Sequence, residues 1–225
     1  MKKDHREKSR KIWLVGDSPP KDADRLRYPL DSHHFAVHCI WTSVLNEINA
    51  RLFKHSLRLS DNYPHIRNAV TDSSHWKKLD YRGKLQDYFR KCKSGQDYEY
   101  DHLTDFNEHK PTIVITFGAK PFSIFKAISG GKIKKGWTSR ELGVEFKEAI
   151  NKFSLEEINL LPLLHTSLVY KKKYLEGQAY YCKEGIATYE KGNCCYFSYV
   201  GRKIARILLE HRDYLKSKSI LLSPD

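Results

Sequence analysis

Asp17 and His165 each stand at the end of an apolar run. Asp17 follows "KIWLVG" in the turn "GDSPP", and His165 closes "LLPLLH", with Thr166, Ser167 and Leu168 after it. A carboxylate and an imidazole that face one cleft can do general acid and base work, or can stabilise charge of both signs as a bond breaks. Either residue alone says little. An Asp after a strand is commonly a turn residue or a helix cap, and a His at a strand tip is commonly structural. The surroundings add weight. Lys171, Lys172 and Lys173 follow Leu168 closely and are flanked by Tyr170 and Tyr174. Such a strip can neutralise phosphates, and such rings can stack on exposed bases. Lys132, Lys134 and Lys135 form a second basic group, and Arg202, Lys203 and Arg206 a third. A solvated face explains any one cluster; their repetition beside candidate site loops favours a polyanionic partner.

The elements that would position these residues follow from the pattern. "KIWLVG" (11–16) reads as a short buried strand, and the two prolines of "DSPP" end it because they remove donors and fix φ. Residues 34–53 place Phe35, Val37, Ile40, Trp41, Val44, Leu45, Ile48 and Leu52 at helical spacing, with Ser32 as an N-cap candidate. "HIRNAVTD" (65–72) reads as a short strand, 75–92 as a helix, and 93–110 as a polar loop or insertion. "TIVITFG" (112–118) is the clearest strand, and "KPFSIFKAI" (120–128) a helix with proline in its first turn. Residues 139–153 and 174–193 have no decisive pattern. "NLLPLL" (159–164) reads as a strand that Pro162 assigns to an edge or an irregularity. Residues 195–215 read as one helix with a stripe at Val200, Ile204, Ile207 and Leu208.

Strands alternating with helices argue an α/β fold: a three-layer sandwich with a central, mainly parallel sheet of four to five strands, flanked by helices. In such sheets ligands bind outside the carboxyl ends of the strands. One domain over 11–215 is expected, with a flexible basic tail at 1–10 and a tail at 216–225. Lys and Arg outnumber Asp and Glu by 40 to 27, a net charge of +13 that points to nucleic acid. Five cysteines without a CxxC pair make neither a disulfide framework nor a metal motif, so no metal is expected. The charged N-terminus is no secretory signal, and no apolar run approaches membrane length. A cytoplasmic monomer is the expectation. No GxxxxGK[ST] or GxGxxG occurs, which disfavours a nucleotide-binding α/β protein.

The content and order of the loops resemble the uracil-DNA glycosylase superfamily. "LVGDSPP" resembles its first motif and "LLPLLHTSL" its second. "IRNAV" is similar to the Asn-bearing strand, and "IVITFGAKPFSIF" to the strand–Gly–helix element, of the branch that usually carries an iron–sulfur cluster. The resemblance implies a monofunctional glycosylase that flips a base from double- or single-stranded DNA, hydrolyses its N-glycosidic bond and leaves an abasic site. Asp17 then stabilises the positive sugar, and His165 donates to the departing base's oxygen. Asn68 reads the base edge with a donor and an acceptor. Ser18 belongs to the base pocket, and Tyr28, or else Phe35, stacks on the base. Ser167 contacts a backbone phosphate, Leu168 fills the gap in the stack, and Lys171, Lys172 and Lys173 hold the bent strand.

The departures from the family pattern are specific. Ser18 stands where the main uracil-specific branch keeps a water-activating Asp, and Pro20 where it keeps the tyrosine that screens out thymine. Thr166 replaces the usual motif-two proline. The cysteines do not match the iron–sulfur pattern, so no cofactor is expected. Residues 75–110 and 174–195 are longer than compact members need. The expected substrate is therefore uracil or a modified pyrimidine, including a hypermodified cytosine of phage DNA, in repair or in antiviral defence. The alternative is a non-catalytic DNA-binding module that keeps the fold.

Overall fold

The computed structural model describes residues 11–16, 35–60, 65–68, 109–131, 134, 136–165, 178–181 and 195–223; for 35–42, 65–68 and 195 it describes the backbone alone. The described elements run β1 (Ile12–Gly16), α1 (Phe35–Phe53), β2 (Arg58–Leu59), β3 (His65–Asn68), β4 (Ile113–Phe117), α2 (Ala119–Ile128), α3 (Ser139–Asn151), β5 (Asn159–Leu163), α4 (Cys195–Glu210), α5 (Arg212–Ser217) and β6 (Leu221–Leu222).

β3, β1, β4 and β5 form one sheet in that order, and every pairing is parallel. β2 and β6 form a small antiparallel pair. All five residues of β1, of β4 and of β5 are buried. A strand covered on both faces has no reason to alternate, which is why "IWLVG" and "IVITF", the buried Thr116 apart, read as apolar runs. The expected α/β class with a parallel sheet is present.

α1 packs lengthwise on α4, joining Val44, Ile48 and Leu52 with the Val200, Ile204 and Leu208 stripe in one core. Gly201 permits the contact: a Cβ there would lie 2.5 Å from Glu47 Cβ. α3 packs on β5 and buries Leu142, Gly143 and Phe146. Its start is fixed by a capping box, in which Glu141 N–H donates to Thr138 Oγ1 (3.2 Å) and Thr138 N–H donates to Glu141 Oε2 (2.9 Å). The Thr138 N–H and the Thr138 hydroxyl, which donates to the same Oε2 at 3.0 Å, hold the Glu141 carboxyl below the usual carboxylate range. "TSRE" was the signal in a stretch without a decisive apolar period. Before β5, the Asn159 amide donates to the carbonyls of Thr112 (2.9 Å), Ser154 (2.7 Å) and Glu157 (3.0 Å), which sets where the strand begins.

Two expectations at the C-terminus are corrected. The helix read as continuous over 195–215 breaks at His211, whose φ is −109°. The break turns the chain so that Leu215, Ile220 and Leu221 enter the core. The stretch beyond residue 215, expected to be a tail, therefore folds back, and β6 pairs with β2. No helix among the described residues is long and apolar enough to cross a membrane.

Candidate functional site

Because the four strands are parallel, their carboxyl ends share one edge. Gly16 lies level with Asn68, Val15 with Thr116, and Phe117 with Leu163. The chain leaves β1 for β3 on one side, then crosses to β4 and β5 on the other, so the topological switch falls between β1 and β4. In parallel α/β sheets, ligand crevices form at such points. Gly16, the residue before Asp17, borders the switch directly, and β5 stands one strand beyond β4. Strands pack about 4.8 Å apart, so β1 and β5 ends are separated by about 10 Å, room for a planar ring and two side chains.

Gly118 turns the chain at this edge. Its φ of 110° and ψ of 168° lie in a region that essentially only glycine occupies. Its N–H donates to Leu163 O at 2.8 Å, tying the end of β4 to the end of β5, and α2 begins at the next residue. Trp137 packs edge-on against Phe122 in the first turns of α2, with centroids 4.8 Å apart. Lys134 Nζ lies 4.5 Å over the Trp137 ring and 3.3 Å from Glu141 Oε1. One lysine of the second basic group is thus held near the carboxyl edge.

His165 follows the buried Leu164 and is itself half-buried. Burial pushes its imidazole below the usual histidine value. It is therefore neutral near pH 7, with one ring nitrogen a donor and the other an acceptor. Two tyrosines hold the strand beneath it. Leu164 N–H donates to the Tyr196 hydroxyl at 2.8 Å, and the Tyr181 hydroxyl donates to Pro162 O at 2.9 Å. Both rings are fully buried and meet edge-on at 5.2 Å. Burial, with the neighbouring Tyr196, pushes the Tyr181 phenol well above its usual range. Sequence reasoning missed both tyrosines. The available signal was Pro162: an edge strand needs partners for its outward polar groups, and two tyrosines follow in "YYCKEGIATYEKGNCCYF" only as unpatterned aromatics.

The structure brings together at this edge His165, the end of β1 that leads into Asp17, and the backbone of Asn68. Phe35 opens α1, with its backbone alone described. Asp17, Ser18, Tyr28, Ser167, Leu168, Lys171, Lys172 and Lys173 lie outside the described residues. Among the described residues, no three His, Cys, Asp or Glu side chains cluster as a metal site would require. A cavity of about 250 Å³, lined by Lys126, Glu145, Glu148, Lys152 and Asn159 among others, opens near the amino end of β5, away from this edge. In comparisons with known proteins, no family model matches the chain and no curated sequence matches it.

Proposed function

We propose that the chain is a DNA glycosylase built as a three-layer α/β sandwich, which flips uracil or a modified pyrimidine and hydrolyses its N-glycosidic bond. The observation that supports this reading is the arrangement of the carboxyl edge: Gly16 level with Asn68 on one side of the switch, and on the other His165 just past β5, whose end lies about 10 Å from that of β1 and whose imidazole burial holds below its usual value.

The chemistry follows from charge separation. As the bond from C1′ to the base nitrogen breaks, its electron pair goes to the base and the sugar becomes oxocarbenium-like. Asp17, at the β1 end, stabilises the cation. A neutral imidazole N–H at the β5 end donates to the base oxygen where negative charge collects, in surroundings poor in water. Water adds to C1′, and its proton leaves to the departing base. Asn68 reads the base edge, Ser167 and the Lys171–Lys173 strip bind phosphate, and Leu168 fills the vacated place in the stack. Extrusion of the base costs a few kcal/mol, and the net charge of +13 supplies phosphate attraction against that cost.

The test is mass spectrometry of bases released from a panel of natural and modified DNAs. Asp17→Asn and His165→Ala should each lower release by about 10²- to 10³-fold while sparing most DNA binding. A folded, DNA-binding wild type that releases no base from the whole panel would refute the enzyme and leave a binding module.

A further inference from the structure

We propose that Tyr196 is a positioning residue for His165, and that Tyr196 and Tyr181 together form a clamp on the outer edge of β5. The catalytic consequence rests on the glycosylase reading; the clamp itself does not.

In a parallel strand, successive residues turn their backbone polar groups to opposite sides. Leu163 faces inward, since its carbonyl accepts from Gly118 N–H at 2.8 Å. Pro162 and Leu164 therefore face the outer edge, where no further strand pairs among the described residues. Proline brings no N–H to that edge, so only its carbonyl needs a partner, and the Tyr181 hydroxyl supplies it. Leu164 brings an N–H, and the Tyr196 hydroxyl accepts it. The tip of β5 is thus tied on its inner side at Leu163 and on its outer side at Leu164, one residue before His165.

The two hydroxyls come from separate parts of the chain, Tyr181 from the turn at 178–181 and Tyr196 from the first turn of α4. Their rings pack against each other, and Tyr181 also packs against Phe146 of α3 at 5.5 Å. The clamp therefore couples the aim of the imidazole to α3 and α4. A donor that must meet a developing oxyanion loses about 10²-fold for a misplacement near 1 Å. This makes Tyr196, buried away from any substrate, a determinant of rate rather than of binding.

The experiment uses the full chain with Tyr196→Phe and Tyr181→Phe. In wild type, amide exchange at Leu164 should be strongly protected. In Tyr196→Phe that exchange should quicken by at least about tenfold, and the His165 imidazole, followed by NMR titration without substrate, should move up toward its ordinary value. Tyr181→Phe, two residues further from His165, should shift the titration less. On a released base, Tyr196→Phe should lower kcat about 10- to 100-fold with KM within about twofold. A folded Tyr196→Phe with unchanged titration and kcat overturns the proposal. So does a wild-type Leu164 amide that exchanges as if unbonded, a result that needs no variant. A wild type that releases no base defeats the glycosylase reading alone, because exchange and titration are read without substrate.

Discussion

Gly143→Ala sets two effects of opposite sign against each other. In the middle of α3, alanine is favoured over glycine by about 1 kcal/mol, so propensity alone predicts a stabler protein. Packing predicts the reverse. A Cβ at position 143 would lie 2.9 Å from both Tyr180 Cβ and Tyr180 O, and 3.0 Å from Tyr180 C. Two of those atoms are backbone and cannot swing aside. Carbon atoms rest at about 3.5 Å or more, so the turn must retreat by about 0.6 Å. That turn carries Tyr181, whose hydroxyl reaches Pro162 O at 2.9 Å. The same retreat stretches the bond to about 3.5 Å, past the useful range. An overpacked core contact costs about 1–3 kcal/mol, and a buried polar group left unbonded about 1–3 more. Against a gain of about 1 kcal/mol, the net expectation is a loss of about 1–5 kcal/mol. Urea unfolding should show a lower midpoint at unchanged slope. A variant as stable as wild type, or stabler by the propensity increment, would refute the close-packing argument.

Gly201→Ala poses the same contest between α1 and α4, with a Cβ 2.5 Å from Glu47 Cβ; a loss of up to about 2 kcal/mol after the propensity gain is expected in thermal or urea unfolding. Thr138→Ala removes the α3 cap and should cost about 1 kcal/mol by the same assay. Glu141 has its folded pKa lowered chiefly by the Thr138 bonds, so its contribution is present above the unfolded carboxylate value and is lost as pH falls through the folded one. In Thr138→Ala that acid-side loss should shrink. His165, lowered by burial, behaves as a neutral group that resists protonation. Below about pH 6.5 the unfolded chain binds the extra proton first, so stability is undiminished above that pH and declines as pH falls toward the folded value. His165→Asn should flatten this decline, read as urea midpoints at pH 7.5 and 5.5.

The parts of the fold legible in sequence were those where one requirement dominated. β1 and β4 are covered on both faces, so "IWLVG" and "IVITF" are apolar but for the buried Thr116, and Gly118 had to be glycine because its φ of 110° strains any other residue. The Val200, Ile204, Ile207 and Leu208 stripe announced a helix for the same reason: its burial has a single period. Elsewhere the determinants are non-local. The break at His211 depends on where Leu215 and Ile220 find core, and β6 on β2, far away in the chain. Nothing in the neighbourhood of Tyr181 or Tyr196 marks them as partners of Pro162 and Leu164. Their role exists only once β5 has become an edge. At the site, the histidine was legible as a strand-tip residue, whereas its lowered pKa comes from burial in the folded chain.

Neutrality bears on what His165 can do. Under the proposed glycosylase reading, an imidazolium would attract a departing base anion more strongly, but burial makes that cation costly, and a neutral ring keeps its N–H donor without it. The division of labour is then spatial. In that reading, attraction of a polyanion is spread over a chain of net charge +13. The strand tip is left to a dipole whose direction matters more than its charge. A dipole stabilises a charge only when aimed, and a buried one cannot be re-aimed by solvent during the reaction. That is a physical reason to place two buried tyrosines, a proline and a glycine at positive φ at the last residues of β5 and β4, where a point charge on a mobile side chain would have needed none of them.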